Sequence, residues 1–411
     1  MIQTLKLRPR EDKRLRQGHV WIYSNEVDTS ATALKSFTPG EEVVVLADSG
    51  KPLGRALMSP QALICARLVS RDPEIGLDEA LLTARIESAL ALRERLYPDS
   101  GCYRLVYGEG DGLSGLVVDR YGDTLVCQLT TAGMDARRDL IVDVLRKVLA
   151  PRLLVLKNDS GSREVEGLEK YVEVIGRAPG DVTADVASEH VALVENGVHF
   201  LAPLTGGQKT GWFFDHRENR AAIAPFCAGR RVLDAFSYVG GWGLQALAFG
   251  GDALTVVDSS APALDVLETN ARNQGVHDRV TVQRGDGFEV LAGLADAGER
   301  FGLVIVDPPA LIKRRKDLRA GQRAYERLAQ SALRLVEDDG LVVFGSCSLH
   351  LDREALREVI RGAARHTERQ VQVLKVAGAG PDHPVHPAIP ESDYLKAAFL
   401  RVRHATRGGA M

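Results

Sequence analysis

The chain has 411 residues, of which 45% are hydrophobic and 26% charged, and its formal net charge is −3. At roughly 100–200 residues per domain, this length suggests two to four domains. The composition is that of an ordinary globular protein and excludes the disordered and fibrous classes, and the absence of an apolar run of about 18 residues argues against a membrane span.

The five cysteines are widely spaced, and no two of them form a CxxC pair. A disulfide framework and a zinc cluster are therefore not expected. The first residues, MIQTLKLRPR, are charged early and lack the apolar segment of a secretion signal. We expect a cytoplasmic protein in a reducing compartment.

Residues 1–72 are predicted to form a small β domain, because two apolar runs flank the turn signal Asp48-Ser49-Gly50-Lys51-Pro52. Residues 73–190 are predicted to form a central α+β domain. It begins with a helix in LDEALLTARIESALALRERLY. Its glycine-rich stretch GEGDGLSG precedes a strand rather than a helix, so we interpret it as a hairpin and not as a phosphate loop.

Residues 191–411 alternate strand and helix, which predicts an α/β fold with a doubly wound, mostly parallel sheet. Five strands are expected, in RVLDAF, ALTVVD, VTVQ, LVIVD and LVVFG. The clearest helix is APALDVLETNARNQG, for which Gly275 is a credible stop signal.

The carboxyl ends of the first three predicted strands carry the features of a nucleoside site. Gly240, Gly241 and Gly243 lie where the first strand turns into a helix, and glycine there lets a ligand approach the backbone. Asp258 ends the second strand and can accept from ribose hydroxyls, and Asp286 after the third can accept from an adenine amino group. Since the G-G-x-G spacing differs from the dinucleotide pattern, S-adenosylmethionine fits better than NAD.

The fourth strand leads into VDPPA, and a basic run follows. Pro308 and Pro309 lack N–H donors, so the Asp307 carboxylate and exposed carbonyls dominate this edge and suit the N–H groups of a nucleobase. The basic run begins with Lys313, Arg314, Arg315 and Lys316, and its position favours contact with RNA phosphates.

The fifth strand leads into GSCS, in which Gly345 is expected to end the strand. Adjacent fourth and fifth strands bring Asp307 and Cys347 to one edge, near the methyl donor. A thiolate that adds to carbon-6 of a pyrimidine makes carbon-5 nucleophilic, so a thiol here predicts covalent catalysis. His350 and the positive charge of the methyl donor are the two candidates for activating it.

Taken together, GHVWIYSNEV, GEGDGLSGLVVDRYG, GQKTGWFFDHR, VLDAFSYVGGWG, VDPPALIK, GSCSLH and PDHPVHPAIPESDYLK resemble, in this order, the bacterial ribosomal RNA large subunit methyltransferase I family. The resemblance covers nearly the whole chain. It implies an N-terminal PUA β barrel that binds RNA, a central α+β domain and a C-terminal Rossmann-like class I methyltransferase domain. It also implies methylation of carbon-5 of a cytosine in 23S ribosomal RNA.

The resemblance also implies residue roles. Cys347 matches the nucleophile, and Asp307 matches an aspartate that orients the cytosine and contributes to the cofactor site. The remaining residues matched to S-adenosylmethionine binding are Lys209, Thr210, Gly211, Ser237, Tyr238, Gly240, Asp258 and Asp286. Relatives are often dimeric, which makes a homodimer a candidate assembly.

Three alternatives stay open at this point. A methyltransferase acting on an exocyclic amine often has an aromatic residue after the DPP-type motif, where this chain has Ala310. A dehydrogenase is disfavoured by the glycine spacing, and a non-catalytic RNA-binding or ribosome assembly factor is consistent with the N-terminal domain alone. A metal is not expected, because His383 and His386 form a two-ligand pattern without a third ligand.

Overall fold

The computed structural model describes residues 2–176 and 190–404, and the chain divides into two compact units. The first unit comprises Met1–Val191, Pro203–Phe214 and Pro381–Ser392. The second comprises Ala192–Ala202, Asp215–Gly380 and Asp393–Met411. The division into domains at residues 72 and 190 stays a prediction.

The first unit begins with a five-stranded sheet in the order β1-β3-β4-β5-β2, in which β1 and β3 pair in parallel and the other pairs are antiparallel. Its elements are β1 (Gln3–Lys6), α1 (Lys13–Arg16), β2 (Trp21–Tyr23), β3 (Glu42–Leu46), β4 (Pro52–Met58) and β5 (Ile64–Ser70). The predicted turn at residues 48–52 joins β3 to β4 and is closed by a 2.9 Å hydrogen bond from the Ala47 N–H to the Lys51 carbonyl.

A second five-stranded sheet in the first unit has the order β10-β9-β8-β7-β6 and contains one parallel pair, β8 with β9. Its elements are α2 (Glu79–Leu96), β6 (Cys102–Tyr107), β7 (Leu116–Tyr121), β8 (Thr124–Leu129), α3 (Ala132–Asp135), α4 (Arg138–Leu149), β9 (Leu153–Asn158), α5 (Ser162–Val165) and β10 (Tyr171–Gly176). The interpretation of the glycine-rich stretch as a hairpin is confirmed, since β6 and β7 pair antiparallel on either side of it.

The remaining elements are β11 (His190–Glu195), β12 (Val198–Pro203), α6 (Arg217–Ala221), β13 (Arg231–Ala235), α7 (Gly241–Ala248), β14 (Ala253–Asp258), α8 (Ala261–Asn273), β15 (Val280–Arg284), α9 (Gly287–Asp296), β16 (Phe301–Val306), α10 (Leu318–Leu335), β17 (Val336–Ser346), α11 (Arg353–His366), β18 (Arg369–Ala377) and β19 (Lys396–His404). β11 and β12 form a two-stranded sheet.

The second unit is built on a seven-stranded sheet in the order β15-β14-β13-β16-β17-β19-β18. The first five strands are parallel, and β19 runs antiparallel to both β17 and β18. The predicted α/β fold with a doubly wound, mostly parallel sheet is therefore confirmed. The strand order reverses between β13 and β16, and in open α/β sheets ligands bind at the carboxyl ends of the strands beside such a reversal.

Local signals explain where the clearest helix begins and ends. Ser260 accepts a hydrogen bond from the Ala263 N–H at the start of α8, and Gly275 after its end has φ +68°. The fifth parallel strand departs from the sequence interpretation. β17 starts at Val336, which pairs with Phe301 across an irregular stretch of ladder, and it runs one residue beyond Gly345 because Ser346 still pairs with Lys396.

Candidate active site

The loop after β13 is a tight turn that faces the carboxyl edge of the sheet. Phe236, Tyr238 and Gly240 all have positive φ, at +64°, +51° and +89°. Non-glycine residues in this region are uncommon and cluster at functional sites. A Cβ on Gly240 would lie 2.9 Å from side-chain atoms of Leu244 and Leu267, so only glycine fits at this turn.

Asp258 is fixed by this loop. Its two carboxylate oxygens accept one N–H each, from Tyr238 and from Ser260, both at 2.9 Å. Each oxygen keeps a lone pair for a further donor. The side chain is half-buried at the end of β14, where it can accept from the hydroxyls of a ligand.

Asp286 caps helix α9. Its Oδ1 accepts from the N–H groups of Phe288 and Glu289, at 2.9 and 3.3 Å, and the side chain is exposed. The cap uses one oxygen and leaves Oδ2 for a donor, so the capping role and the predicted ligand role are compatible. The start of α9 packs closely on the loop after β13, because a Cβ on Gly287 would lie 2.5 Å from the Phe236 ring.

The loop also holds a polar atom that suits a bound S-adenosylmethionine. The hydroxyl of Ser237 is buried and has no hydrogen-bond partner among the described residues. A buried unsatisfied hydroxyl costs free energy unless something supplies a bond. Together with the lone pairs of Asp258 and Asp286, it gives a set of groups that fits the amino-acid and nucleoside parts of the cofactor.

Lys209, Thr210 and Gly211 belong to the first unit, whereas the other predicted cofactor residues belong to the second. The Thr210 hydroxyl donates to Asp119, which is buried and also accepts two bonds from Arg104 at 2.7 and 2.8 Å. Gly211 has φ +110°. These contacts account for Thr210 and Gly211 within their own unit, and their role towards a cofactor stays a prediction.

The Lys209 ammonium lies 4.4 Å from the centroid of the Phe213 ring, which also belongs to the first unit. This is the distance of a cation–π contact, which an aromatic ring makes with a cation within about 6 Å. The contact fixes the lysine locally, and its predicted cofactor role is likewise untested by the geometry.

Asp307 lies directly after β16 and is held by two side chains that the sequence interpretation did not single out. Its Oδ2 accepts from the Trp242 indole N–H at 3.2 Å. The same oxygen lies 3.2 Å from Nε2 of His216. Burial by itself raises the pKa of Asp307. The adjacent His216, its hydrogen bond and that of Trp242 outweigh burial, so the net shift of the pKa is downward. Asp307 is therefore an ionised acceptor at neutral pH.

A second carboxyl group, that of Asp234, belongs to β13, the strand beside β16. It is fully buried, and its Oδ2 accepts the Gly243 N–H at 2.8 Å. Burial, reinforced by the negative charges of Asp307 and Asp258, raises the pKa of Asp234 to about 8 in spite of that bond. At neutral pH, Asp234 is mostly the neutral acid and Asp307 carries the charge.

The pairing of β16 with β17 brings Asp307 and the thiol-bearing turn together. Val306 pairs with Phe344, so the residues that follow lie side by side at the strand ends. A Cβ on Gly345 would lie only 2.5 Å from Oδ1 of Asp307. Cys347 follows two residues later, and it is the one cysteine of the five that is not buried.

The serines that flank Cys347 are fully buried and bonded to Tyr325 of α10. The Ser346 hydroxyl donates to the Tyr325 oxygen at 3.0 Å, and that oxygen lies 2.8 Å from the Ser348 hydroxyl. Ser348 also accepts the Ile312 N–H at 3.1 Å. This network fixes the conformation of the turn that carries Cys347.

The predicted RNA-contacting residues form an exposed segment between β16 and α10. All four of Lys313, Arg314, Arg315 and Lys316 are exposed, and Arg314 donates to Asp317 at 3.1 Å. The two histidines that were considered as metal ligands make local hydrogen bonds. His383 Nδ1 lies 2.8 Å from Asp382, and His386 accepts from the Ala388 N–H.

Neither a metal cluster nor a membrane-spanning helix occurs among the described residues. Within residues 2–176 and 190–404, no group of three or more His, Cys, Asp or Glu side chains is arranged to hold a metal ion. In the same ranges, no helix has the length and apolar character needed to cross a membrane.

Two family models match the chain. A PUA-like domain matches residues 5–71, and an S-adenosylmethionine-dependent methyltransferase matches residues 178–348. The predicted N-terminal PUA-like domain, C-terminal methyltransferase fold and S-adenosylmethionine cofactor are thereby confirmed.

Curated relatives match over almost the full length. The chain is 33% identical to ribosomal RNA large subunit methyltransferase I of Shewanella denitrificans over 401 residues, which are 97% of this chain and 99% of that protein. It is 32% identical to the protein of the same name from Cronobacter sakazakii over 394 residues, which are 95% of this chain and 97% of that protein.

Solved structures show the same fold. A Streptococcus mutans protein assigned as a SAM-dependent methyltransferase superposes with a TM-score of 0.81 at 20% identity, covering 98% of this chain and 100% of that one. A methyltransferase structure in complex with SAH gives the same TM-score, identity and coverage. At this identity the likeness concerns the fold alone.

Proposed function

Because the chain belongs to the ribosomal RNA large subunit methyltransferase I family, we propose that it methylates carbon-5 of a cytosine in large-subunit (23S) ribosomal RNA, with S-adenosylmethionine as methyl donor. The observation that carries this proposal is the close approach of Gly345 to Asp307, two residues before Cys347. A base held by the Asp307 carboxylate is then within reach of the thiol. Neither group would be needed at this spacing for methylation of a hydroxyl.

In this proposal, the loop after β13 and two carboxylates hold the cofactor. Ser237, Tyr238 and Gly240 line its methionine side, Asp258 accepts from the ribose hydroxyls, and Asp286 accepts from the adenine amino group. Lys209, Thr210 and Gly211 are proposed as further contacts on the evidence of the family resemblance alone.

The chemistry then follows from the two residues at the ends of β16 and β17. Asp307, kept ionised by Trp242 and His216, accepts from the exocyclic amine of the cytosine and orients the ring. The thiolate of Cys347 adds to carbon-6, which forms an S–C bond and moves the electron pair of the C5–C6 double bond to carbon-5.

When bound, S-adenosylmethionine supplies the methyl group that carbon-5 takes up, and it leaves as S-adenosylhomocysteine. The proton on carbon-5 then passes to water or another base, because no second cysteine follows the two prolines of the DPP stretch. The C5–C6 double bond re-forms, and the thiolate is expelled unchanged.

The chain is proposed to have three domains, with boundaries near residues 72 and 190. Two of its regions are proposed to contact RNA. The PUA-like domain is the first, and the exposed basic segment Lys313–Lys316 is the second. Basic side chains release counterions from phosphates, so the affinity for RNA should fall steeply as salt is raised. The target base must leave any stacked context to reach the thiol.

The test is methyl transfer by Cys347→Ala to ribosomal RNA from a strain that lacks the enzyme. We expect incorporation to fall to background while calorimetry still detects S-adenosylmethionine binding. Cys227→Ala, which changes a buried cysteine of the same unit, is the matched control and should retain activity. Full activity of Cys347→Ala would contradict the covalent mechanism.

Two further measurements separate the alternatives. Mass spectrometry of the nucleosides distinguishes 5-methylcytidine from a base methylated on an exocyclic amine. RNA that carries 5-fluorocytosine cannot lose its carbon-5 substituent, so it should accumulate as a covalent complex with the parent protein and not with Cys347→Ala. Binding of RNA with no methyl incorporation would indicate a non-catalytic assembly factor.

A further inference from the structure

Lys396 is a buried lysine beside the turn that carries Cys347. It is the first residue of β19, where it faces Ser346 across the antiparallel ladder with β17. Only 3% of its surface is exposed. Lysine is rarely buried to this extent without a partner for its charge, because the ammonium loses its hydration. The surroundings of this side chain therefore need an explanation.

Two backbone carbonyls accept from the Lys396 ammonium. They belong to Ser348 and Tyr394, each at 2.7 Å. Ser346 and Ser348 flank Cys347, so the strand ladder fixes the Lys396 backbone on one side of the thiol-bearing residue and the hydrogen bond to Ser348 fixes the ammonium on the other. The two carbonyls use two of the three N–H donors and are neutral, so they provide hydrogen bonds without a countercharge.

The charged groups that act on Lys396 identify the countercharge. Burial lowers the pKa of Lys396 to about 8, and the largest opposing influence is the negative charge of Cys347, which raises that pKa. Asp393 and Asp352 act in the same direction as Cys347, and Arg353 acts against them. Both aspartates are exposed, so solvent screens them more than it screens the half-buried sulfur.

Tyr325 of α10 also faces the turn, through its bonds to the hydroxyls of Ser346 and Ser348. Burial, and to a smaller extent the charge of Cys347, raises the pKa of Tyr325. The phenol therefore stays protonated at neutral pH and can only donate or accept a hydrogen bond. It supplies no positive charge to the thiolate, whereas the ammonium of Lys396 does.

We propose that Lys396 is a positioning residue that stabilises Cys347 as a thiolate, by holding a buried positive charge against the turn between Ser346 and Ser348. This inference rests on the proposed role of Cys347 as nucleophile. It gives the thiol a source of activation other than His350, which is half-buried in the turn that follows Cys347. Attraction between the ammonium and the thiolate favours the charged form of both.

The test compares Lys396→Gln with Lys396→Arg. Glutamine keeps N–H donors for the two carbonyls and removes the charge, whereas arginine keeps the charge. The rate at which iodoacetamide alkylates Cys347 is measured from pH 5.5 to 10 on the full-length protein, without RNA or cofactor, by peptide mass spectrometry. The four buried cysteines report unfolding in the same samples, because they react only when the chain opens.

We expect the midpoint of alkylation in Lys396→Gln to rise by about one pH unit or more, as happens when an adjacent opposite charge is lost. At a pH below both midpoints, a midpoint that is one pH unit higher makes the alkylation roughly tenfold slower. Lys396→Arg should keep a midpoint close to that of the parent. An unchanged midpoint in a folded Lys396→Gln protein, or an equal rise in both variants, would overturn the inference.

This readout is separate from methyl transfer. If Cys347→Ala retained activity while Lys396→Gln shifted the alkylation midpoint, the proposed function would fail and the stabilisation of the thiolate by the lysine would stand. If methyl transfer depended on Cys347 and the midpoint did not move, only the role of Lys396 would fail.

Discussion

Replacing Gly345 by alanine should disable the site with little change in the rest of the molecule. The new Cβ would lie 2.5 Å from Oδ1 of Asp307, about 0.9 Å short of the 3.4 Å at which ordinary contact begins. Asp307 is already held at Oδ2 by Trp242 and His216, each at 3.2 Å. A shift of nearly 1 Å therefore breaks or weakens both interactions as the carboxylate moves away from β17.

The expected magnitude follows from that displacement. A misplacement of about 1 Å in a catalytic arrangement can cost roughly 10²-fold in rate. Overpacking by one methyl group typically costs about 1–3 kcal/mol of stability. We therefore expect kcat/KM for methyl transfer to fall roughly 10²-fold in a protein that still unfolds cooperatively and melts only several degrees lower.

The assay is transfer of a labelled methyl group to ribosomal RNA at several RNA concentrations, with thermal unfolding on the same preparation. Gly293→Ala is the matched control. It lies in α9, and a Cβ there would meet no atom within 4 Å, so its activity should stay within about twofold of the parent. Undiminished activity of Gly345→Ala would refute the argument that the position of Asp307 against β17 matters.

Two further predictions concern buried polar groups. The pKa of Asp234 is raised from 3.8 to about 8, so between these two pH values the folded state holds a proton that the unfolded state has lost. The free energy of unfolding of the parent therefore falls as the pH rises between these values, by at most about 1.4 kcal/mol per pH unit, and Asp234 causes no further fall above them. Asp234→Asn should remove this slope in urea unfolding at pH 5, 7 and 9; equal slopes in both proteins would contradict the assignment. Tyr325→Phe leaves the hydroxyls of Ser346 and Ser348 short of a partner, so the free energy of unfolding should fall by about 1–3 kcal/mol. A fall below about 0.5 kcal/mol would show that the network is dispensable for stability.

The predicted strands and the main helices could be located from local patterns. Alternation of short apolar runs with amphipathic segments located β13 to β16, and Gly275 marked the end of α8. The start of β17 could not be located this way, because its first residues, VEDDG, include three acidic side chains and a glycine. They belong to the strand because Val336 pairs with Phe301 of β16 and Gly340 pairs with Val402 of β19, on either side of the three acidic residues.

The residues of the site also fall into a group that the sequence could predict and a group that it could not. Asp258 and Asp307 end predicted strands and Asp286 and Cys347 follow others, so their presence at one edge could be inferred from the order of elements. The partners His216, Trp242 and Lys396 could not be inferred. The only sequence signals were a histidine in FFDHR, an indole in the glycine turn and a lone lysine opening the apolar run KAAFL.

The sequence by itself determined the elements, the strand ends and the residue types placed there, because periodicity, caps and turns act over a few neighbouring residues. The tertiary structure decided which of these residues lie close enough to act on one another. His216 and Asp307 are 91 positions apart and Cys347 and Lys396 are 49 apart, yet each pair interacts at one sheet edge. Such contacts depend on the strand order β13-β16-β17-β19 and on burial, which sets the charge of Asp307 and Lys396. Neither is encoded in any short stretch of chain.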